Sequence, residues 1–304
     1  MRVSVVICAY DPDLYGHLRD AVESVLEQSY DDVEAVVVVD GSETLHRRVR
    51  DDYGDVGGVR IHRNETNLGL SRSRNAGIEE STGDVIAFLD DDAVARPDWV
   101  EKLVETYERR DAMAAGGRMA PLWVAGEPTF LPPEFYWLVG VTHRGFPKEE
   151  CEVRNTFGSN ISFKREVFEE IGGFEPELGR HGDRQIQGEE TELSARMHDA
   201  FGERVWYNPD AVVEHKVFDF RTDPKWLVKR AFWQGYSKRA LDELIGDSGG
   251  EEGAFLSQLL FHGLPGYAYR AIVRRSSQAA KRGLCSLVLT AAVGFGFLYA
   301  VASG

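Results

Sequence analysis

DVIAFLDDDA, residues 84–93, runs five apolar side chains into three consecutive aspartates. An unbroken apolar run of this length reads as a strand buried on both faces, the kind found in parallel sheets. Adjacent carboxylates repel one another, and crowding them is costly unless a cation neutralises them. As hard oxygen ligands they suit Mg²⁺ or Mn²⁺ bridging to phosphate oxygens. A solvated acidic turn is the plainer reading in so acidic a chain, but the position directly after a buried strand argues against it.

The sequence upstream repeats the pattern. VSVVIC (3–8) and VEAVVVV (33–39) are two more buried strands, and VRIHR (59–63) is a shorter one nearer an edge. Between them, residues 14–28 carry Leu14, Leu18, Ala21, Val22, Val25 and Leu26 at helical spacing. Further helices are predicted over about 42–53, 69–81 and 98–109. Strand alternating with helix predicts an α/β fold, a mostly parallel, Rossmann-like sheet with flanking helices. Ligands of such sheets bind beyond the carboxyl ends of the strands. Those ends carry Ala9-Tyr10-Asp11, Asp40-Gly41-Ser42 and Asp90-Asp91-Asp92, so one rim gathers carboxylates. Neither G-x-G-x-x-G after the first strand nor a Walker loop is present, which argues against those two ways of holding phosphate.

Seven motifs in order resemble the inverting GT-A glycosyltransferases of family 2. They are VSVVICAYD (3–11), VVVVDGS (36–42), NLGLSRSRNAGI (67–78), FLDDDA (88–93), FGSNISFKREVFEEIGGFEPELG (157–179), GEETEL (188–193) and NPDAVVEH (208–215). The likeness covers about residues 2–240 and implies a GT-A fold using a UDP-sugar donor. It implies that Tyr10, Asp11 and Asp40 contact the nucleotide. In the D-x-D motif it makes Asp92 the direct metal ligand, with Asp90 reaching the metal through water or touching the ribose, and Asp91 near the donor sugar. His215 is implied as a further metal ligand. Glu190 stands where the family usually has an aspartate as catalytic base, so the base is one methylene longer; Glu189 is expected on acceptor or sugar hydroxyls. The residues themselves leave Arg72 and Arg74 open between an ion pair and a phosphate contact. Asn160 is open between acceptor and loop backbone. Arg180, His181, Arg184 and Gln187 form a loop able to read an acceptor phosphate or sugar carboxylate.

Charge divides the chain into zones. The total is −15, but residues 1–220 sum to −20, residues 221–282 to +5, and residues 283–304 carry no charge. The acidic body excludes a general binder of nucleic acid, where cations release counterions. Its acid excess, with 8 Lys against 27 Arg, suits a protein bathed in high salt. The boundaries predict a catalytic domain (1–220), a basic aromatic helical neck (221–282) and a C-terminal transmembrane helix (283–304). GLCSLVLTAAVGFGFLYAVASG has the length and composition a bilayer core requires. Arg274, Arg275, Lys281 and Arg282 before it place the catalytic domain on the cytoplasmic face of the cell membrane. In the neck, Trp226, Phe232, Trp233 and Tyr236 alternate with cations, either to lie on an anionic membrane or to pack on the catalytic domain. Residues 253–269 read as an interfacial or re-entrant stretch.

Membrane and acidic body together are similar to haloarchaeal enzymes that build dolichol-linked glycans for surface-protein N-glycosylation. The expected activity is therefore transfer of one sugar, a hexose or hexuronic acid, from a UDP-sugar to a lipid-linked acceptor with Mn²⁺ or Mg²⁺. Two alternatives predict other features. A processive polysaccharide synthase would carry Q-x-x-R-W after the base, where this chain has Arg230-Ala-Phe-Trp-Gln. An inactive scaffold would have lost the D-x-D triplet, which is intact.

Overall fold

The computed structural model describes residues 1–178, 188–245 and 249–303. The loop carrying Arg180, His181, Arg184 and Gln187 lies outside them. The chain divides into two compact units: one of Met1–Ala120, 147–178 and Glu189–Lys216, the other of Pro121–Phe146 and 217–303.

The first unit begins β1 (Val3–Ala9), α1 (Tyr15–Leu26), β2 (Val33–Asp40), α2 (Glu43–Tyr53), β3 (Val59–Asn64), α3 (Leu70–Glu80) and β4 (Val85–Asp90). It continues with β5 (Ala93–Ala95), α4 (Trp99–Arg110), β6 (Ala114–Trp123), β7 (Cys151–Val153), β8 (Ile161–Lys164), α5 (Arg165–Ile171), α6 (Glu189–Phe201) and β9 (Val205–Val217). Among the described residues these strands form one sheet in the order β3-β2-β1-β4-β8-β6-β9-β5, with β7 on β9.

The four strands expected from the apolar runs are parallel, with Val6 opposite both Val36 and Phe88. Beyond them the sheet turns antiparallel: Phe88 faces Ile161, Ile161 faces Gly116, and Ala93 faces His215. This second half was not foreseen, because β5, β7 and β8 are three or four residues long and β6 contains two glycines. Strands that short carry no periodicity of their own.

One sheet face is covered by α1, α2 and α4, through Leu18, Val22, Leu45, Val49, Trp99, Leu103 and Tyr107. Fully burying an aliphatic side chain of this kind contributes about 1.5–3 kcal/mol. On the opposite face α3 lies close to the sheet at Gly77, where a Cβ would stand 2.3 Å from a Val6 methyl carbon. Helix α2 starts on Ser42, whose hydroxyl accepts from the Leu45 amide (3.3 Å). Gly172, φ +77°, ends α5 as the Gly172-Gly173 pair predicts.

The second unit is helical, with α7 (Pro224–Ile245), α8 (Gly249–Gln258), a wide turn at Leu259–Gly263, α9 (Leu264–Ile272) and α10 (Ser277–Ser303). Charge zoning assigned residues 121–146 to the catalytic body, but they group with the neck and tail. Leu131, Phe135, Leu138 and Val139 share a core with Leu227, Ala231, Leu259 and Leu289. Helices α7 and α10 meet backbone to backbone. A Cβ on Gly235 would stand 1.9 Å from the Val293 carbonyl oxygen, and one on Gly296 1.9 Å from that of Phe232. The α7 aromatics follow this contact, Phe232 and Tyr236 lying 5.7 and 6.4 Å from Tyr299 between ring centroids. They pack on the tail helix, an arrangement neither sequence reading included.

Helix α10 is long and apolar enough to cross a membrane, with mean hydropathy 2.1 and 22% of that window buried. Leu284, Leu287, Phe295, Leu298 and Tyr299 are exposed along it. In the stretch expected to be interfacial, Leu260 and Phe261 are also exposed.

Candidate active site

The rim at the carboxyl ends of β1, β2 and β4 brings the sequence-predicted residues onto one edge. Asp90 ends β4 and Asp92 follows two residues later. His215 reaches them because β9 pairs antiparallel with β5 and sets His215 opposite Ala93. The Lys216 amide donates to the Asp92 carbonyl (2.9 Å), fixing the two segments together. His215 Nε2 lies 3.2 Å from Asp92 Oδ1, and both residues are buried. One ligand atom each from Asp90, Asp92 and His215 falls within 4.8 Å of the others. Two hard carboxylates and a borderline imidazole form a donor set fit for a divalent cation.

Arg74 ties this cluster to the base. It projects from α3, is 4% exposed, and donates to Glu189 Oε1 (3.1 Å), Asp90 Oδ1 (3.4 Å) and the Gly158 carbonyl (3.1 Å). Its guanidinium also lies over the rings of Phe88 (5.7 Å) and Phe174 (5.3 Å). Burial opposes its charge, but Glu189, Asp90 and Glu190 outweigh that cost and the pKa rises. Of the two readings left open for Arg74, the ion pair is the one observed. Arg72, half exposed, stands 3.9 Å from Glu177.

Glu189 and Glu190 open α6, where the positive end of the helix dipole favours anions. Glu189 is buried beside Arg74. Glu190 is half-buried, and its carboxyl is pushed up to about 7, first by burial and then by the Glu189 charge, with Arg74 pulling the other way. A carboxyl poised there can take a proton near neutrality.

Other predicted residues have different surroundings. Tyr10 is exposed at the end of β1, and Asp11 accepts from the Asp13 amide (2.9 Å). Asp40 is buried and engaged within the chain, accepting from Asn64 Nδ2 and from the Leu68 and Gly69 amides, each at 2.9 Å. It thereby pins the loop that leads into α3 and Arg74. Gly41, φ +74°, permits the close approach, since a Cβ there would stand 2.4 Å from the Asn67 nitrogen. Asp91 is half-buried between the two ligand aspartates. Asn160 is fully buried and serves the scaffold, taking the Trp99 indole N–H (2.8 Å) and donating to the carbonyls of Arg118 (3.1 Å) and Ala211 (3.0 Å). Sequence reasoning missed Ser159, whose hydroxyl accepts from the Asp90 amide (2.9 Å). It also missed the Phe88–Phe174 clamp on Arg74. Only contacts between residues far apart in the chain reveal these roles.

A parallel nucleotide-type sheet with an Asp-Asp-His cluster and a poised glutamate at one rim defines the GT-A class of sugar transferase. Residues 4–172 match the family described as Glycosyl transferase family 2, and the chain belongs to that family. It is 48% identical over 300 residues to the Glucosyl-dolichyl phosphate glucuronosyltransferase of Haloferax volcanii, covering 98% of this chain and 96% of that protein. Among solved structures it is similar to the mannosyltransferase PcManGT from Pyrobaculum calidifontis in complex with GDP-Man and Mn²⁺. That match has TM-score 0.62 and 17% identity, covering 98% of this chain and 87% of the other. S. aureus TarS 1-349 in complex with UDP-GlcNAc shares the fold at TM-score 0.55 and 16% identity, covering 80% and 71%. The chain is thus a family 2 glycosyltransferase with a GT-A fold, as its motifs imply.

Proposed function

We propose that this enzyme transfers a hexuronosyl residue from a UDP-sugar to a sugar carried on dolichyl phosphate, at the cytoplasmic face of a membrane, as a step in glycan assembly for protein N-glycosylation. Its near full-length similarity to the Haloferax volcanii glucuronosyltransferase supports donor and acceptor. The exposed apolar face of α10 supports attachment to lipid. The observation that carries the catalytic reading is Arg74, which joins the Asp90 end of the metal cluster to the Glu189-Glu190 pair.

In this reading Glu190 accepts the proton of the acceptor hydroxyl. The hydroxyl oxygen attacks the anomeric carbon from the side opposite UDP, the bond to the diphosphate breaks, and the configuration inverts. Asp90, Asp92 and His215 would hold Mn²⁺ or Mg²⁺, which would supply Lewis-acid neutralisation of the diphosphate. Arg74 holds Glu189 in place by an ion pair, and burial together with the Glu189 charge keeps Glu190 basic. Tyr10 and Asp11 flank the nucleotide, and Asp40 shapes the loop behind it. The unit of Met1–Ala120, 147–178 and Glu189–Lys216 is the catalytic body, residues 121–146 and 221–282 are the neck, and 283–304 is the anchor.

The test is incubation of the full chain in detergent with Mn²⁺, UDP-glucuronate and a phytanyl-phosphate-linked glucose, read by mass spectrometry. A product heavier by one hexuronosyl residue, lost on chelation and restored by Mn²⁺, is expected. Transfer only from UDP-hexoses would overturn the donor assignment. Transfer equally fast to water and to the lipid sugar would overturn the acceptor.

A further inference from the structure

Arg118 stands apart from the other cations of this rim. Arg74 and Lys216 are buried against carboxylates, Lys216 at 2.6 Å from Asp20. Arg118 is exposed, and among the described residues no ion pair or side-chain hydrogen bond holds its guanidinium. It sits in β6 between the buried Gly117 and Met119.

Strand register locates it. Phe88 of β4 faces Ile161 of β8, and Ile161 faces Gly116 of β6. Two residues beyond Phe88 is Asp90; two residues beyond Gly116 is Arg118. Ala115 and Met119 point into the core under α1 and α4, so Gly116 and Arg118 point to the opposite face, that of Phe88 and Arg74. One loop confirms the placement residue by residue. The Gly158 carbonyl accepts from Arg74, the Ser159 hydroxyl from the Asp90 amide, and the Asn160 amide group donates to the Arg118 carbonyl. Gly116, on the same face, is packed under Thr156, for a Cβ there would stand 2.1 Å from Thr156 Oγ1.

We infer that Arg118 is a substrate-reading residue that binds an oxyanion: the carboxylate of a uronic acid donor or the phosphate joining lipid to acceptor sugar. A second anion entering a rim already lined by Asp90, Asp91, Asp92 and Glu190 is repelled unless a cation receives it. The planar fork of arginine fits either a carboxylate or a phosphate with two parallel hydrogen bonds. The donor arm of this inference rests on the proposed hexuronosyl transfer; the acceptor arm does not.

The experiment compares the full chain with Arg118→Ala and Arg118→Lys. Calorimetry measures binding of UDP-glucuronate and UDP-glucose, which differ by the carboxylate. Kinetics or, without turnover, micelle binding measures phytanyl-phosphate-linked glucose against octyl glucoside, which lacks the phosphate. Losing a charge-assisted contact weakens one charged ligand about tenfold or more, with its neutral counterpart unchanged and Arg118→Lys in between. An effect confined to UDP-glucuronate assigns the carboxylate; one confined to the phosphate-linked sugar assigns the phosphate. If both charged ligands keep wild-type constants in Arg118→Ala, the inference is overturned. If wild type prefers UDP-glucose, the hexuronosyl reading fails while the acceptor arm, run with that donor, still decides the role of Arg118.

Discussion

At the sheet rim, charged groups are buried: Arg74, Glu189 and Asp92 are all at or below 6% exposure. In the helical unit, apolar groups are exposed: Phe261 at 73%, Ile272 at 78% and Phe295 at 67%. Each region breaks the ordinary rule of burial in the opposite sense, and such violations are the informative ones. Buried charge at the rim is tolerated because Arg74 has partners on every side. Exposed apolar surface on α10 has no such compensation among the described residues, and in the proposed reading a bilayer covers it. The rim is specified by pairing and the tail by solvent.

The hardest break in this contrast is removal of a metal ligand. Asp92→Ala is expected to lower transfer by about 10³-fold or more and to abolish Mn²⁺ binding in calorimetry while the fold is retained. Unchanged Mn²⁺ affinity would detach the Asp-Asp-His cluster from the chemistry. Next comes Glu190→Gln, expected to cost about 10²–10⁴-fold in kcat with UDP binding intact. A near wild-type rate would move the base elsewhere. Arg74→Ala leaves the buried Glu189 carboxylate without its ion-pair partner and is expected to destabilise the protein by about 3–5 kcal/mol, measured as a lower Tm, with Arg74→Lys recovering only part. In the helical unit, Gly296→Leu forces α7 from α10 and is expected to cost about 1–3 kcal/mol without altering Mn²⁺ affinity; a loss of metal would contradict the division of roles.

The smallest effect is pH dependence. In the proposed mechanism Glu190 acts deprotonated, so kcat is expected to fall as pH drops below about 7. Its raised pKa means the folded state holds that proton more tightly than the unfolded chain. The stability it contributes is full below the ordinary carboxylate pKa and is lost as pH rises through about 7. The same titration that activates the base thus loosens the fold, and a Tm that rose from pH 5 to 8 in wild type but not in Glu190→Gln would reverse that sign.

What the sequence made legible follows from physical range. The parallel half was readable because β-branched runs such as VVVV in β2 carry their own burial pattern. The D-x-D end of β4 and the glutamate pair were readable because their chemistry is local. Arg74 was placed among the candidates, but its partners lie 16 and 115 residues away, and no local pattern encodes that distance. Asp40 was legible as a rim carboxylate, but its hold on the Leu68 and Gly69 amides, 28 and 29 residues downstream, was not. Residues 121–146 gave no signal, since their apolar residues are set by prolines and a 3₁₀ turn rather than by helical spacing.

The loop Gly158–Asn160 has one more consequence. It grips β6 at residue 118 by the main-chain oxygen, not by the side chain. Any amino acid at that position presents the same oxygen, so the side chain can be exchanged while the scaffold stays in register. Charge at this point is therefore separable from the scaffold: a relative with a neutral residue here would keep the loop that holds Arg74 and Asp90 while losing the cation. Residue 118 is thus a point where the charge of the rim can be changed without cutting a hydrogen bond of the scaffold.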